Sequence, residues 1–321
     1  MTAEDAQPTT APDISVLLLS WNTKELTREC LDSLPVGIDD DLTVEVIVVD
    51  NGSRDGSAEA LAERDDITLI ANPENRGYAA AVNQAYERAG GEFVLLLNSD
   101  VEFKPGGLST LLRFLRERSN VAGVGPLYLN PDGTEQQHHY RFPTFGATIG
   151  NMSRVLGRFP PLARRVRSYR MLDDDFSQAR PVEQPSASCL LIRRSALPND
   201  ALMDEQFPIY FNDVALAHSL AQRGHHLWMT PESVVVHEHG ASTRQLGGLL
   251  ARQHIGAHVR YLKATEPRYK VEVYRGLVLG QKLALIALRR PGRLPFRDLV
   301  GALRGDPGPV PAAPLDDDDE D

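Results

Sequence analysis

Apolar residues in the first hundred positions gather into three short runs, each closed by a polar cluster. Residues 14–19 run into Ser20-Trp21-Asn22, 44–49 into Asp50-Asn51-Gly52-Ser53, and 93–97 into Asn98-Ser99-Asp100. Aliphatic and β-branched runs separated by helix-length segments predict parallel strands. Between the first two, Leu26, Cys30, Leu31 and Leu34 recur at helical spacing behind Thr23, a residue type suited to an N-cap. A helix is expected from Ser57 through Leu61, a strand over 67–70, and a helix from about Tyr78 to Ala89. Residues 107–118 read as helix and 121–129 as strand. This alternation predicts an α/β fold, with a Rossmann-like, mostly parallel central sheet and flanking helices. Ligands of such sheets bind beyond the carboxyl ends of the strands, so the three polar clusters should converge on one crevice.

From Asn130 to Pro181 the pattern loosens. Pro, Gly and six arginines between Arg154 and Arg170 suggest long loops and a mobile or partner-facing helix. Order returns with a strand over 187–192, a helix over 214–223 and a strand over 226–229. Beyond about Gly240 the chain turns helical and basic. The organisation expected is a disordered leader (1–12), one catalytic-sized domain (13–242), a basic helical extension (243–305) and a disordered acidic tail (306–321).

Composition changes this picture in one respect. Hydrophobic content of 42% and charged content of 24% are ordinary for a globular chain, but the net charge of −10 hides a split. The last seven residues hold six acids, while residues 244–304 carry thirteen Lys and Arg against Glu266, Glu272 and Asp298. A basic block of this kind suggests an anionic partner. Nucleic acid is not expected, an anionic membrane surface is the partner favoured, and a solvated helical surface is the alternative. Residues 276–288 form a mostly apolar stretch closed by Arg289-Arg290-Pro291-Gly292-Arg293, of a size that suits either an interfacial segment or a packed helix. No run of 18 apolar residues occurs, residues 1–12 do not read as a signal peptide, and Cys30 and Cys189 read as buried thiols of a reducing compartment. The expected location is cytoplasmic, peripheral to the inner face of the plasma membrane.

Asp50 and Asp100 end strongly apolar strands, where a carboxylate needs a partner or a cation. One or two carboxylates together with substrate phosphates are how Mg2+ or Mn2+ is commonly held. The loop Asn75-Arg76-Gly77 opens a helix, and its arginine and helix N-terminus suit an anion. No G-x-G-x-x-G follows the first strand and no G-x-x-x-x-G-K-[ST] occurs, which argues against dinucleotide and P-loop sites.

Taken in order, Trp21-Asn22, Val49-Asp50-Asn51-Gly52-Ser53-Arg54-Asp55-Gly56-Ser57, Asn72, Asn75-Arg76-Gly77-Tyr78, Asn83 and Leu97-Asn98-Ser99-Asp100 resemble glycosyltransferase family 2 of the GT-A fold, and its bacterial rhamnosyltransferase-like branch in particular. The resemblance spans Ile14 to Ser242. It implies an inverting transferase whose nucleotide-sugar donor contacts Ser20, Trp21, Asn22, Asp50, Asn75, Arg76, Gly77, Asn83, Asn98 and Ser99. It further implies a divalent cation at Asp100, the last acid of a D-x-D motif. Asp213 takes the place of the base that deprotonates the acceptor hydroxyl, and His237, in His237-Glu238-His239-Gly240-Ala241-Ser242, that of a metal or diphosphate ligand. By resemblance the donor is dTDP-rhamnose, ahead of UDP-hexoses, and the acceptor a lipid-linked glycan or polysaccharide precursor.

The match is not complete. Asn212 stands where the family has Glu, Ala215 where a second acid is common, and residues 182–189 lack the usual Trp and Gly. These departures leave open a non-catalytic nucleotide-sugar-binding or scaffold protein. A sugar-nucleotide pyrophosphorylase would call for a Gly-rich, Arg-bearing loop after the first strand, and Ser20-Trp21-Asn22-Thr23-Lys24 is not one.

Overall fold

The computed structural model describes residues 11–39, 42–153, 155–238, 240, 249–287 and 294–310. The leader to residue 10, the tail from 311, His239, Ser242, Arg154 and the Arg289–Arg293 cluster lie outside the described residues.

The first half alternates as the apolar runs predict: β1 (Ile14–Ser20), α1 (Lys24–Ser33), β2 (Val44–Asp50), α2 (Ser57–Ala62), β3 (Thr68–Ala71), α3 (Tyr78–Tyr86) and β4 (Phe93–Asn98). Then come β5 (Val101–Phe103), α4 (Gly107–Glu117), β6 (Val121–Leu129), β7 (His139–Tyr140), α5 (Phe145–Asn151) and α6 (Pro160–Tyr169). The remainder is β8 (Arg180–Val182), β9 (Gln184–Pro185), β10 (Cys189–Arg193), α7 (Asn212–Gln222), β11 (His226–His237), α8 (Leu249–Thr265), α9 (Arg268–Ala287) and α10 (Phe296–Arg304).

The sheet runs β3-β2-β1-β4-β10-β6-β11-β5, with β8 also pairing β11. The β3-β2-β1-β4 half is parallel throughout. In the other half β10 lies antiparallel between β4 and β6, and β5 antiparallel to β11. Each central strand is buried on both faces. In β1, Ile14, Val16 and Leu18 join one core with Cys30, Leu31, Leu108 and Leu111, while Leu17 joins the other with Ala81, Val82 and Leu216. Two-sided burial is why these strands read as continuous apolar runs.

β11 is far longer than the four residues its apolar pattern predicts. Pro231 and Glu232 interrupt the pattern, and a register shift against β6 falls between Thr230 and Val234. Beyond that irregularity the strand resumes and carries His237 to the sheet's edge.

The basic extension does not stand apart. Val259, Leu262, Val271, Tyr274, Val278, Leu294 and Leu299 close a third core around Ile149 of α5, and Ala257 and Tyr261 pack on Phe207 and Val214. Cys30 and Cys189 are both buried and unpaired with one another, each thiol pushed up chiefly by burial.

Candidate active site

The polar clusters after β1, β2 and β4 do meet. They form one wall of a cleft of about 400 Å³, with Tyr140, Ser186, Ser188, Tyr210, Phe211, Asp213 and His237 facing them. Trp21, Asn75, Gly77, Asn98, Ser99 and Asp100 line it directly. The Trp21 indole N–H is buried with no partner among the described residues, a donor available to a ligand.

Several singled-out residues serve as the frame instead of the wall. Ser20 is fully buried and accepts from Thr27 Oγ1. Asp50 accepts from the Ser53 N–H and hydroxyl at 2.9 and 2.6 Å, closing the turn after β2. Asn22 accepts from the Arg54 N–H, pinning that turn to the end of β1. The Asn83 side chain is fully committed: it donates to Met203 O and Glu205 Oε1 and accepts from the Leu202 and Met203 N–H groups. With four partners it clamps the 202–205 segment onto α3 and has no capacity left for a donor sugar.

Asn51 does more at this wall than the pattern of strand ends suggests. Its Nδ2 donates to Asn75 Oδ1 and Gly77 O, and its Oδ1 accepts from Asn72 and the Arg76 N–H. Gly52 makes the turn possible: at φ +78° a Cβ would lie 2.7 Å from the Glu74 Cα. The expectation that the α3 N-terminus receives an anion needs correcting. The Tyr78 and Ala79 N–H groups both donate to Pro208 O, so that end is already capped by protein. The exposed Arg76, with no ion-pair partner among the described residues, remains as the loop's cation.

Asp100 and His237 are 137 positions apart but meet because β5 pairs with β11, placing His237 opposite Val101. His237 Nε2 lies 3.3 Å from Asp100 Oδ1, and both side chains are almost buried. Gln136 sets the ring's chemistry. Its Nε2 donates to Asn130 Oδ1 and to the backbone oxygen of His237, so its Oε1 faces His237 Nδ1 at 2.8 Å. With Gln136 in this orientation, a proton on Nδ1 would satisfy that oxygen and turn the Nε2 lone pair toward Asp100. Two acceptors facing each other call for positive charge between them, a proton or a metal ion. A carboxylate, an imidazole and ligand phosphate oxygens make a fitting donor set for a divalent cation. No group of three or more His, Cys, Asp or Glu suited to a metal occurs among the described residues, so the phosphates would complete it.

Asp213 lines the same cleft from the first turn of α7. Phe211 enters that helix in the left-handed region at φ +68°, a strained conformation for a bulky residue. Asp213 accepts from the Val214 N–H at 2.8 Å and from Gln184 Nε2 at 3.2 Å. Burial raises its carboxyl above the ordinary range, and these hydrogen bonds only partly counter it. The neighbouring Asn212 is turned to the backbone, donating to Ile209 O and accepting from the Asp213 N–H. It braces the helix start.

Comparison with known proteins decides what this cleft belongs to. Residues 15–197 match the model for "Glycosyl transferase family 2". An N-acetylglucosaminyl-diphospho-decaprenol L-rhamnosyltransferase of Mycobacterium tuberculosis is 32% identical over 227 residues, 67% of this chain and 72% of that protein. The chain belongs to glycosyl transferase family 2. A low-salt glycan biosynthesis hexosyltransferase of Haloferax volcanii is 23% identical over 216 residues, 66% of this chain and 62% of that protein. In fold the chain is similar to a mannosyltransferase from Pyrobaculum calidifontis solved with GDP-Man and Mn2+. That match has a TM-score of 0.50 at 19% identity and covers 94% of this chain and 82% of that one.

This glycosyltransferase thus brings most of the singled-out residues to one cleft and adds Asn51, His138, Tyr140 and Tyr210, with Gln136 holding His237 and Gln184 holding Asp213. His138 Nε2 lies 3.2 Å from His237 Nδ1, and its ring packs against Tyr128. A signal for Gln136 and His138 existed in the run Gln136-Gln137-His138-His139, four amide and imidazole side chains in succession within a loop-like stretch.

Proposed function

We propose that this glycosyltransferase moves a sugar, rhamnose from dTDP-rhamnose as the first candidate, onto a hydroxyl of a lipid-linked glycan, with inversion at the anomeric carbon. The observation carrying the reading is that one cleft is lined by the half-buried carboxylate of Asp213 and by the Asp100–His237 pair. The donor's nucleotide lies along Trp21, Asn51, Asn75 and Asn98, with its diphosphate near Arg76, Asp100 and His237. Mg2+ or Mn2+, held by Asp100 and His237 together with that diphosphate, supplies compensation for the charge of the leaving group. Asp213 takes the acceptor proton as the acceptor oxygen bonds to the anomeric carbon and the bond to the diphosphate breaks. The raised carboxyl of Asp213 suits this work, because a base is most effective near the operating pH.

The acceptor assignment rests on the decaprenol-linked substrate in the name of the mycobacterial relative and on the apolar outer face of α9. Tyr269, Val273, Leu277 and Leu283 are exposed and fall within about 120° of helix arc, opposite the buried Val271, Tyr274 and Val278. Gly276 and Gly280 lie on the same arc, and a Cβ at either would meet nothing within 4 Å. No described helix is long and apolar enough to cross a membrane. An outward apolar stripe on a basic helical block suits an anionic bilayer surface.

Calorimetric titration of dTDP-rhamnose and UDP-sugars, with and without Mn2+, tests the donor half. Metal-dependent binding of one donor, lost in Asp100→Ala, is the expected result. Donor binding indifferent to both metal and Asp100 would reject the cation assignment. Transfer to a decaprenyl-diphospho-N-acetylglucosamine acceptor tests the other half.

A further inference from the structure

A second cavity, of about 470 Å³, lies beside the donor cleft and shares Tyr140 with it. It is built outside the central sheet, from the two segments the sequence marks as basic and partner-facing. Thr148 and Asn151 come from α5, Arg170 from the end of α6, and His254 and His258 from α8. Rings divide it from the cleft: Tyr210 stands 5.4 Å from His254, and Phe211 4.3 Å from His258. Tyr140 stacks on Tyr169 at 5.4 Å, and through Tyr140 the cavity adjoins the cleft that Asp213 lines.

Its chemistry is selective. No Asp or Glu lines it. Arg170 donates to Asn151 Oδ1 at 3.0 Å and has no carboxylate partner among the described residues, whereas Arg141, Arg167 and Arg180 pair with Asp173 or Asp174. A smaller cavity nearby, lined by Arg141, Arg164 and Arg167, also contains Asp173 and Asp174 and is largely neutralised by them. Thr148 lines the larger cavity, and its hydroxyl is buried with no partner among the described residues. Burial, and then the neighbouring His254, hold His258 down to about 3, so it presents a neutral imidazole. At the rim Leu172 is 46% exposed, and Phe159 and Val155, earlier in the same segment, are more exposed still.

We propose that this cavity receives the saccharide–diphosphate head of a prenyl-linked acceptor. The diphosphate contacts Arg170, Thr148 and His258, the sugar lies against Tyr140 toward Asp213, and the prenyl chain leaves over Leu172. This inference rests on the lipid-linked acceptor of the proposed function and locates it in the chain.

The test is calorimetric, with farnesyl diphosphate and inorganic pyrophosphate as probes of wild type and of Arg170→Gln, His258→Gln and Thr148→Val, and dTDP with Mn2+ as the donor-cleft control. Farnesyl diphosphate should bind wild type and weaken about tenfold or more in Arg170→Gln and His258→Gln, as removal of a charged or buried hydrogen-bonding group implies. The nearly isosteric Thr148→Val should weaken it with melting temperature unchanged, which separates loss of contact from loss of fold. The dTDP affinity should hold within about twofold in all three variants, since none lines the donor cleft. Unchanged farnesyl diphosphate binding in all three, or its competition by dTDP, would overturn the site. Pyrophosphate binding as tightly as farnesyl diphosphate would overturn the lipid-linked source. Intact dTDP binding with no farnesyl diphosphate binding would sink this inference and leave the donor reading standing. Lost dTDP binding with farnesyl diphosphate retained would do the reverse.

Discussion

Asp213 carries two opposed demands in one side chain. Half-buried, it has its carboxyl raised by desolvation, yet as the proposed base it must be ionised at the working pH. Asp213→Asn should lower turnover by roughly 10²–10⁴-fold while dTDP-sugar affinity stays within a few-fold. A variant with near wild-type turnover would remove Asp213 from the mechanism. The same substitution should raise stability at neutral pH. The folded-state carboxyl titrates above its ordinary value of 3.8, so ionised Asp213 costs stability once pH exceeds the raised value. Replacement by an amide removes that cost, and Gln184, whose Oε1 is buried without a partner, can turn to accept from the new N–H. The melting-temperature gain should therefore be greatest near pH 7 and shrink as pH falls toward the unfolded carboxyl's range. The kcat/KM of wild type should fall on the acid side at a pH above that of an ordinary aspartate. Gly52 makes a complementary case: Gly52→Ala should cost at least about 1–2 kcal/mol through backbone handedness alone, read as a lowered melting temperature, before the Glu74 backbone is displaced.

At the scale of elements, strand ends were the legible part of the site and pairings the illegible part. An apolar run closing on Asp100 is visible in one dimension. That Asp100 meets His237 depends on the β5–β11 register, and no local pattern encodes a pairing between strands so far apart in sequence. The Pro231 interruption hides the second half of β11 for the same reason, since hydrophobic periodicity halts there while hydrogen bonding continues beyond the irregularity. Asn83 shows the opposite failure: an amide on a helix beside a ligand loop looks like a ligand contact, and its four protein partners appear only once residues 202–205 fold over it. The apolar stretch of α9 was legible as an interfacial or packed helix, and the structure shows one face in the third core and the other outward. Replacing the outward Leu277 and Leu283 with Ser should leave the melting temperature nearly unchanged. Flotation with anionic vesicles should weaken by about tenfold or more, given roughly 1.5–3 kcal/mol for burying each leucine. Undiminished flotation would reject α9 as the bilayer-facing element.

For the whole molecule, the extension packs on the segment leading into α7, so the two should unfold as one cooperative unit. Tyr261 and Ala257 of α8 cover Phe207 and Val214, and Arg260 donates to Gln206 Oε1 at 2.9 Å. These contacts brace the segment that delivers Asp213. A chain ended after Gly240 keeps every catalytic residue named above, yet it should melt well below the full chain and lose transfer activity. Calorimetry of the full chain should show a single transition. A truncated form as stable as the full chain would mean that the helical block is an independent appendage. The charge split seen in composition belongs at this scale too, because the basic extension supplies α8 to the acceptor-side cavity while the donor cleft is built by the sheet.

Beyond α10 the chain folds back on the donor loop. Gln253 Nε2 donates to Gly308 O and Pro309 O, and a Cβ at Gly77 would come within 3.0 Å of Val310 Cγ2. Position 310 is thus a natural place for a spectroscopic label. Both native thiols are buried, so in Val310→Cys an introduced sulfhydryl would be the preferred target for a maleimide dye. A fluorophore there would sit beside Gly77, where arrival of the donor could be followed in real time without a coupled assay or a radiolabelled sugar.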